Sequence, residues 1–315
     1  MTADLTNAFM TIEYKATTGT NTAVPQVGYI NGDFQELAAL DKSNTTTESR
    51  VALGAANGYR LALRYDDGNS EGNFDIAEIR ILEQVTLVDN ADNTSTLNTY
   101  KNKAVDVTLG RTILCDGDYN TICLPFDLSE EQLAASPLAG ATFKAFKYAV
   151  IEPEELQVRV IDVEGGLQAG VPYLLKMTAS ENLVNPLFKN VTISATAAQT
   201  VGKDEPVEFV GTFAPVAFAK GDQNTLFVYT ENNLTWSGKD DTSLKAFRAY
   251  FNRTATAGAP LRHGMRARIV EHTETATGID NTNAENVTLK FIENNQVIIL
   301  RNGVKYNIQG QAISK

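Results

Sequence analysis

Gly117-Asp118-Tyr119-Asn120-Thr121-Ile122-Cys123-Leu124-Pro125-Phe126-Asp127-Leu128 reads as an apolar strand that stops at a proline and hands over to a short helix signal. Proline has no N–H to give a sheet ladder, so Pro125 marks the end of the run. Ser129-Glu130-Glu131-Gln132 then fits a capping box, Ser129 capping and Gln132 reaching back, and Pro137 stops the helix after two turns. It is the clearest helix signal in the chain. Beyond it, strands are expected at 142–148, 156–163, 172–177, 191–195, 207–213, 225–229, 234–236 and 246–251. Together these make a central β-sandwich module over residues 104–272.

The chain has 315 residues, 43% of them hydrophobic, enough for a real core and for more than one domain. Asn, Thr and Gly are abundant, helix-forming runs are scarce, and short segments alternate apolar with polar. The expected class is therefore all-β: tandem jelly-roll-like β-sandwich modules plus a C-terminal β-meander. A net charge of −11, with no Lys/Arg stripe to reverse it locally, argues against nucleic acid or anionic membrane surfaces as partners. No stretch approaches the ~18 apolar residues of a membrane span, and Met1 to Met10 lacks the basic start and apolar centre of a signal peptide. The expectation is a monomeric, mature or excised portion of something secreted, without membrane insertion.

Residues 1–88 form the first expected module, a jelly-roll-like sandwich, with strands at 10–15, 27–30, 50–53, 59–65 and 74–82. In Tyr59-Arg60-Leu61-Ala62-Leu63-Arg64-Tyr65 one face carries Tyr59, Leu61, Leu63 and Tyr65 and the other the arginines. In the next strand Ile79 and Ile81 alternate against Glu78 and Arg80. Between the two lies a possible calcium loop. Asp67, Asn69 and Glu71 followed by Gly72 keep the Asp-x-Asn-x-acid-Gly spacing, and Glu78 stands at the twelfth position. Glu71 departs from the strict pattern, strands flank the loop in place of helices, and an ordinary polar hairpin turn explains the same residues. Residues 89–103 are polar, without an apolar period, and read as a linker.

Cys115 and Cys123 are the only cysteines, too few for a disulfide scaffold or a Cys-rich zinc site. If Asp116-Gly117-Asp118 turned a hairpin, Cys115 would face roughly Asn120. A bridge to Cys123 would then strain the ~7 Å limit on Cα separation, and two buried thiols are the plainer expectation.

Three regions of the chain resemble known families. Phe74–Leu82 and the strand before it resemble the closing strands of a galactose-binding-like jelly roll. Gly117–Leu128, then Ala169-Gly170-Val171-Pro172-Tyr173-Leu174-Leu175-Lys176, then Phe209-Val210-Gly211-Thr212-Phe213 and Ala246-Phe247-Arg248-Ala249-Tyr250-Phe251 resemble, in order and approximate spacing, a β-rich module of secreted and cell-surface proteins from Bacteroidales bacteria. Members of that family often sit C-terminal to other modules, including polysaccharide-degrading enzymes. The resemblance implies an extracellular location and an accessory role, and offers no catalytic residues.

The tail, 278–315, is similar to the terminal segment of proteins exported by the Bacteroidetes type IX route. Asn294-Asn295 and Asn302-Gly303 supply two-residue turns for a three-strand meander. That register places Ile292, Val297, Ile299, Tyr306 and Ile308 on one face and Leu289, Phe291, Ile298 and Leu300 on the other. So small a meander cannot keep two apolar faces dry, and it should dock on the central module or close with another strand.

Catalytic signatures are sparse. His263 and His272 are the only histidines, no Gly-x-Ser-x-Gly elbow accompanies them, and no phosphate-cradling glycine motif or His-Glu-x-x-His occurs. A glycosidase carboxylate pair stays open, but the acids mostly sit in Asp/Asn/Gly loops suited to solvated turns. Aromatics point elsewhere, because sugar rings stack on exposed Trp or Tyr faces beside hydrogen-bonding side chains. Trp236, with Asn233 and Asp240 nearby, is one candidate platform, and equally a strand residue closing a sandwich edge. Tyr29, Asn31, Asp33, Tyr59 and Arg64 form another. The reading is a non-catalytic extracellular module that binds polysaccharide or scaffolds other surface-protein modules. The alternative is the accessory region of a polysaccharide-degrading enzyme.

Overall fold

The computed structural model describes residues 4–17, 24–65, 73–255, 262–272, 288–293, 296–301, 304–307 and 311–314. The chain is all-β and divides into two compact units, Met1–Val270 and Glu271–Lys315.

Strands β1 (Ala8–Ala16), β2 (Gln26–Asn31), β3 (Asp33–Ala39), β4 (Ser43–Ala52), β5 (Arg60–Arg64) and β6 (Phe74–Val88) open the first unit. β1 lies between β4 and β6, and its alternate residues Met10, Ile12 and Tyr14 are buried. They pack with Val27, Leu61 and Leu63 of a separate sheet ordered β3-β2-β5, which makes the expected sandwich.

Residues 89–103 are not a linker. They are the crossover between β6 and a parallel neighbour, β7 (Ala104–Gly110), which pairs with it from Gln84↔Asp106 to Val88↔Gly110. Parallel strands need a connection of about a dozen residues or more, commonly helical, and α1 (Thr94–Tyr100) supplies it. The helix is short and polar because only Leu97 and Tyr100 turn to the core. Asn93 holds the corner. Its buried amide accepts from Val88 N–H at 2.8 Å and donates to the carbonyls of Val88, Ala91 and Phe213. The sheet that begins in the N-terminal sandwich thus runs on through β7 to β14 (Leu187–Thr192), in the order β14-β7-β6-β1-β4, so no break between sheets falls at the expected boundary.

The rest of the unit supplies β8 (Thr112–Ile113), β9 (Asp116–Cys123), α2 (Glu130–Ala134), β10 (Thr142–Ile151), β11 (Glu155–Asp162), β12 (Pro172–Thr178), β13 (Leu183–Val184) and β14 (Leu187–Thr192). It continues with β15 (Thr200–Val201), β16 (Val207–Thr212), β17 (Val216–Phe218), β18 (Thr225–Val228), β19 (Asn233–Trp236), β20 (Thr242–Leu244), β21 (Arg248–Arg253) and β22 (Arg266–Glu271). Ten of these form one sheet, β15-β16-β21-β18-β19-β22-β11-β10-β12-β9. It curls until its last strand meets an inner one. Cys123 N–H of β9 donates to Phe247 O at 3.3 Å, and Ala249 N–H of β21 donates to Thr121 Oγ1 at 2.9 Å. Inside the curl lie Val158, Val160, Leu174, Phe209 and Phe251; a second core, with Leu87, Val107, Leu124, Phe126 and Phe188, fills the space toward the five-stranded sheet.

The stretches 117–128, 169–176, 209–213 and 246–251 meet where these cores touch. β9 pairs with β12 and β16 with β21. Phe247 just before β21 is fully buried at φ +58°, a left-handed conformation that costs a bulky residue ~1–3 kcal/mol. The twist sends Phe247 into one core and Ala249 and Phe251 into the other. Its carbonyl accepts Arg111 Nη1 at 2.6 Å, and its N–H donates to Thr212 O at 2.8 Å. A Cβ on Gly211 would stand 2.6 Å from Cys123 Sγ, so that position must be glycine for the strands to close up.

The capping box at α2 is formed as read, with Gln132 N–H donating to Ser129 Oγ and Gln132 Oε1 accepting from Ser129 N–H. Asp116-Gly117-Asp118 does not turn a hairpin. It starts β9, and Gly117 at φ +86° only bends the strand. Cys115 and Cys123 therefore stand at the two ends of one strand, roughly 26 Å apart for eight extended residues. Both thiols are free and buried.

In the second unit β23 (Thr288–Glu293), β24 (Gln296–Arg301) and β25 (Val304–Tyr306) form the expected meander, and β26 (Ala312–Ser314) adds a fourth strand. The register pairs Ile292 with Val297, Phe291 with Ile298, Leu289 with Leu300 and Ile299 with Tyr306. Asn294-Asn295, Asn302-Gly303 and Ile308 lie outside the described residues.

Candidate functional site

Trp236 ends β19, which lies between β18 and β22 inside the ten-stranded sheet. Its Nε1–H donates to Met265 O at 2.7 Å, its ring meets His263 edge-on at 5.4 Å, and its flank packs on the inner core. The indole donor is thereby spent inside the protein. Asn233, three residues earlier on β19, falls on the opposite face by strand alternation and donates to Thr230 O. Trp236 and Asn233 do not share a surface, and Asp240 is exposed on the following loop. His263 Nε2 lies 2.9 Å from Ser237 O, which ties it to the same corner.

The second candidate group is partly assembled. Tyr29 and Tyr59 lie with ring centroids 5.1 Å apart and planes 28° from parallel. β2 and β5 pair as Tyr29↔Leu61 and Ile30↔Arg60, which brings Tyr59 to the end of the sandwich beside the Asn31-Gly32-Asp33 turn. Tyr59 is 45% exposed although one face is covered by Tyr29. Asn31 and Asp33 are exposed beside it, while Arg60 turns to the opposite face of β5. Arg64 stands apart, on the opposite face at the far end of β5. There it lies 4.2 Å over the Phe34 ring and donates to Gln26 Oε1 at 2.8 Å.

Asp67, Asn69 and Glu71 lie outside the described residues. Glu78, the last position of that calcium spacing, is on β6 with its carboxylate 2.9 Å from Arg80. Among the described residues no three His, Cys, Asp or Glu side chains converge as a metal site requires.

A third locus was not legible in the sequence. On the polar face of the five-stranded sheet, below α2, a cleft of about 280 Å³ opens between Glu48, Arg80, Gln132, Lys189 and Asn190. Lys189 on β14 forms an ion pair with Glu48 on β4. Those strands are four inter-strand spacings apart, roughly 19 Å if flat, so this face is strongly concave. Glu48 also meets Arg80 at 3.3 Å, and deeper in the hollow Arg50 pairs with Asp106 at 2.8 Å. β14 carries a bulge here: Phe188 pairs with Val107 but Val191 with Val105, leaving one extra residue between. Asn190 takes it up at φ +49°, and its N–H donates to Asp106 Oδ1 at 2.9 Å. The bulge is the feature that aims Lys189 and Asn190 into the cleft. The only sequence sign of it is an Asn in a strand otherwise rich in apolar residues. No protein-family model, curated protein or solved structure matches the chain.

Proposed function

We propose that the chain is a non-catalytic, extracellular glycan-binding module of a bacterial surface or secreted protein, taking the face of a saccharide ring on Tyr59. The observation that carries this is the Tyr29–Tyr59 stack at an open sandwich end. An aromatic ring held from behind by a second ring loses little freedom when a ligand lands on it, so more of the contact energy appears as affinity. Asn31 and Asp33 stand beside it as hydrogen-bond partners for hydroxyls. The order of the four family-like stretches supports the extracellular, accessory setting.

Binding of the full chain to a panel of plant and host polysaccharides, measured by affinity electrophoresis, tests the reading. Wild-type retardation that disappears in Tyr59→Ala is the expected result, with no reducing sugar released by either protein. Retardation equal in both removes Tyr59 from the site, and release of reducing sugar by the wild type overturns the non-catalytic assignment.

A further inference from the structure

The geometry points to a second ligand site, independent of Tyr59: the concave cleft below α2 is built to hold a neutral, hydroxyl-rich ligand, a saccharide unit without acidic groups. Three features argue this. The first is construction. Asp106, 2% exposed, is committed to holding Arg50 and the Asn190 N–H, and Asn190 accepts a left-handed backbone in a strand so that the bulge forms. Such bulges recur beside ligand sites because they re-aim side chains.

The second is charge. Arg80 and Lys189 face Glu48 and Glu78, two cations against two carboxylates. Glu13, opposite Glu48 and Glu78 in the sheet register, adds a further negative charge. With three carboxylates against two cations an anion would meet no net attraction, and a cation would have to displace Arg80 or Lys189 from the carboxylates they already hold. A ligand carrying hydroxyls, each both donor and acceptor, can insert into the ion-pair network without leaving a charge uncompensated. The third is shape. Phe188, Leu128 and Val191 close the bottom of the cleft beneath the polar rim and belong to the core behind it. Gln132 Oε1 is committed to the helix cap, which leaves the amide nitrogen for a ligand. A hydrogen-bonding rim of interleaved charges over a closed bottom suits the hydroxyl-bearing edge of a pyranose.

Titration calorimetry of the full chain with gluco-, manno- and galacto-configured neutral oligosaccharides, and with oligogalacturonate as the acidic comparison, tests it. At least one neutral oligosaccharide is expected to bind. Its affinity should fall about tenfold in Lys189→Ala and in Arg80→Met, the scale of one lost charge-assisted hydrogen bond. Tyr59→Ala should leave that Lys189-dependent binding in place. Melting temperatures within a degree or two of wild type show that the variants are folded, and Lys189→Arg, which keeps the charge, should retain most of the affinity. Neutral binding lost in Tyr59→Ala but unchanged in both cleft variants overturns the cleft while sparing the platform. Preference for oligogalacturonate, or no neutral ligand bound in a Lys189-dependent way, overturns it outright.

Discussion

At Phe247 and at Asn190 the chain does the same unusual thing, placing a non-glycine residue at positive φ beside a β-strand or inside one, and the two sites have opposite surroundings. Phe247 is sealed: its ring is in the core, its carbonyl is taken by Arg111 and its N–H by Thr212. Asn190 stands at the mouth of a cleft, held by one buried carboxylate. Backbone strain alone therefore does not mark function. At Phe247 both backbone groups of the bend find partners inside the protein, so the strain serves closure of the curled sheet. Around Asn190 the bend turns side chains toward a cleft open to solvent.

If that contrast holds, the largest loss of stability follows removal of Arg111. The residue is 4% exposed, and its Nη1 serves the carbonyls of Thr121 and Phe247 at 3.1 and 2.6 Å. Burial and nearby Arg248 lower its pKa while Asp89 opposes them, so the guanidinium is held against a desolvation cost by those carbonyls. Arg111→Ala strips both carbonyls of this donor, leaves Phe247 O with the longer Cys123 N–H bond and opens a void, an expected loss of ~3–5 kcal/mol by urea denaturation. A loss below ~1 kcal/mol would break the idea that Phe247's bend is sustained from inside.

Asn93 extends the sealed side of the comparison to the α1 corner. Asn93→Ala leaves buried backbone groups of Val88 and Phe213 without partners, an expected ~2–3 kcal/mol. Hydrogen exchange should quicken in both β6 and β7, because the one amide ties the end of β6 to the crossover. Exchange that quickens in α1 alone would show the helix to be an appendage.

Cys123 supplies a test read against pH. Burial pushes its thiol up to about 12 from an ordinary value of 9.0. Between those values the folded chain keeps a proton that the unfolded chain releases, so stability falls as pH rises. The contribution is complete below pH 9 and disappears toward pH 12. Tyr173 and Tyr250, also raised by burial, act in the same direction, so the informative quantity is the difference from a variant. Cys123→Ala should cost ~1 kcal/mol at pH 7 and flatten the alkaline decline, while the native thiol resists alkylation. A decline of equal slope in wild type and variant would remove Cys123 from the sealed junction.

Much of the sealed region was legible and almost none of the open one was. The capping box at Ser129–Gln132 and the alternation of Tyr59–Tyr65 are local patterns, and local patterns survive folding. The separation of Tyr59 from Arg64 was readable for the same reason, since it depends only on parity along β5. The crossover at 89–103 was missed because its helix offers just Leu97 and Tyr100 to the core, too few for a period. The cleft was missed for a deeper reason. Glu48, Arg80, Gln132 and Lys189 come from four separate segments, and sheet curvature, which no spacing encodes, brings them together.

The smallest expected effect is the one that sharpens the comparison most. Lys189 and Glu48 keep 45% and 35% of their side chains exposed, so their ion pair is screened by solvent and worth ~0–1 kcal/mol. Lys189→Ala should therefore shift the urea midpoint barely at all, and 0.5 M salt should erase what shift there is. A protein that strains its backbone at Asn190 to present a side chain of no structural value is arranged around something other than its own stability. If instead Lys189→Ala costs more than ~2 kcal/mol, the cleft residues hold the curved sheet together, Asn190 serves closure just as Phe247 does, and the two bends belong to one class.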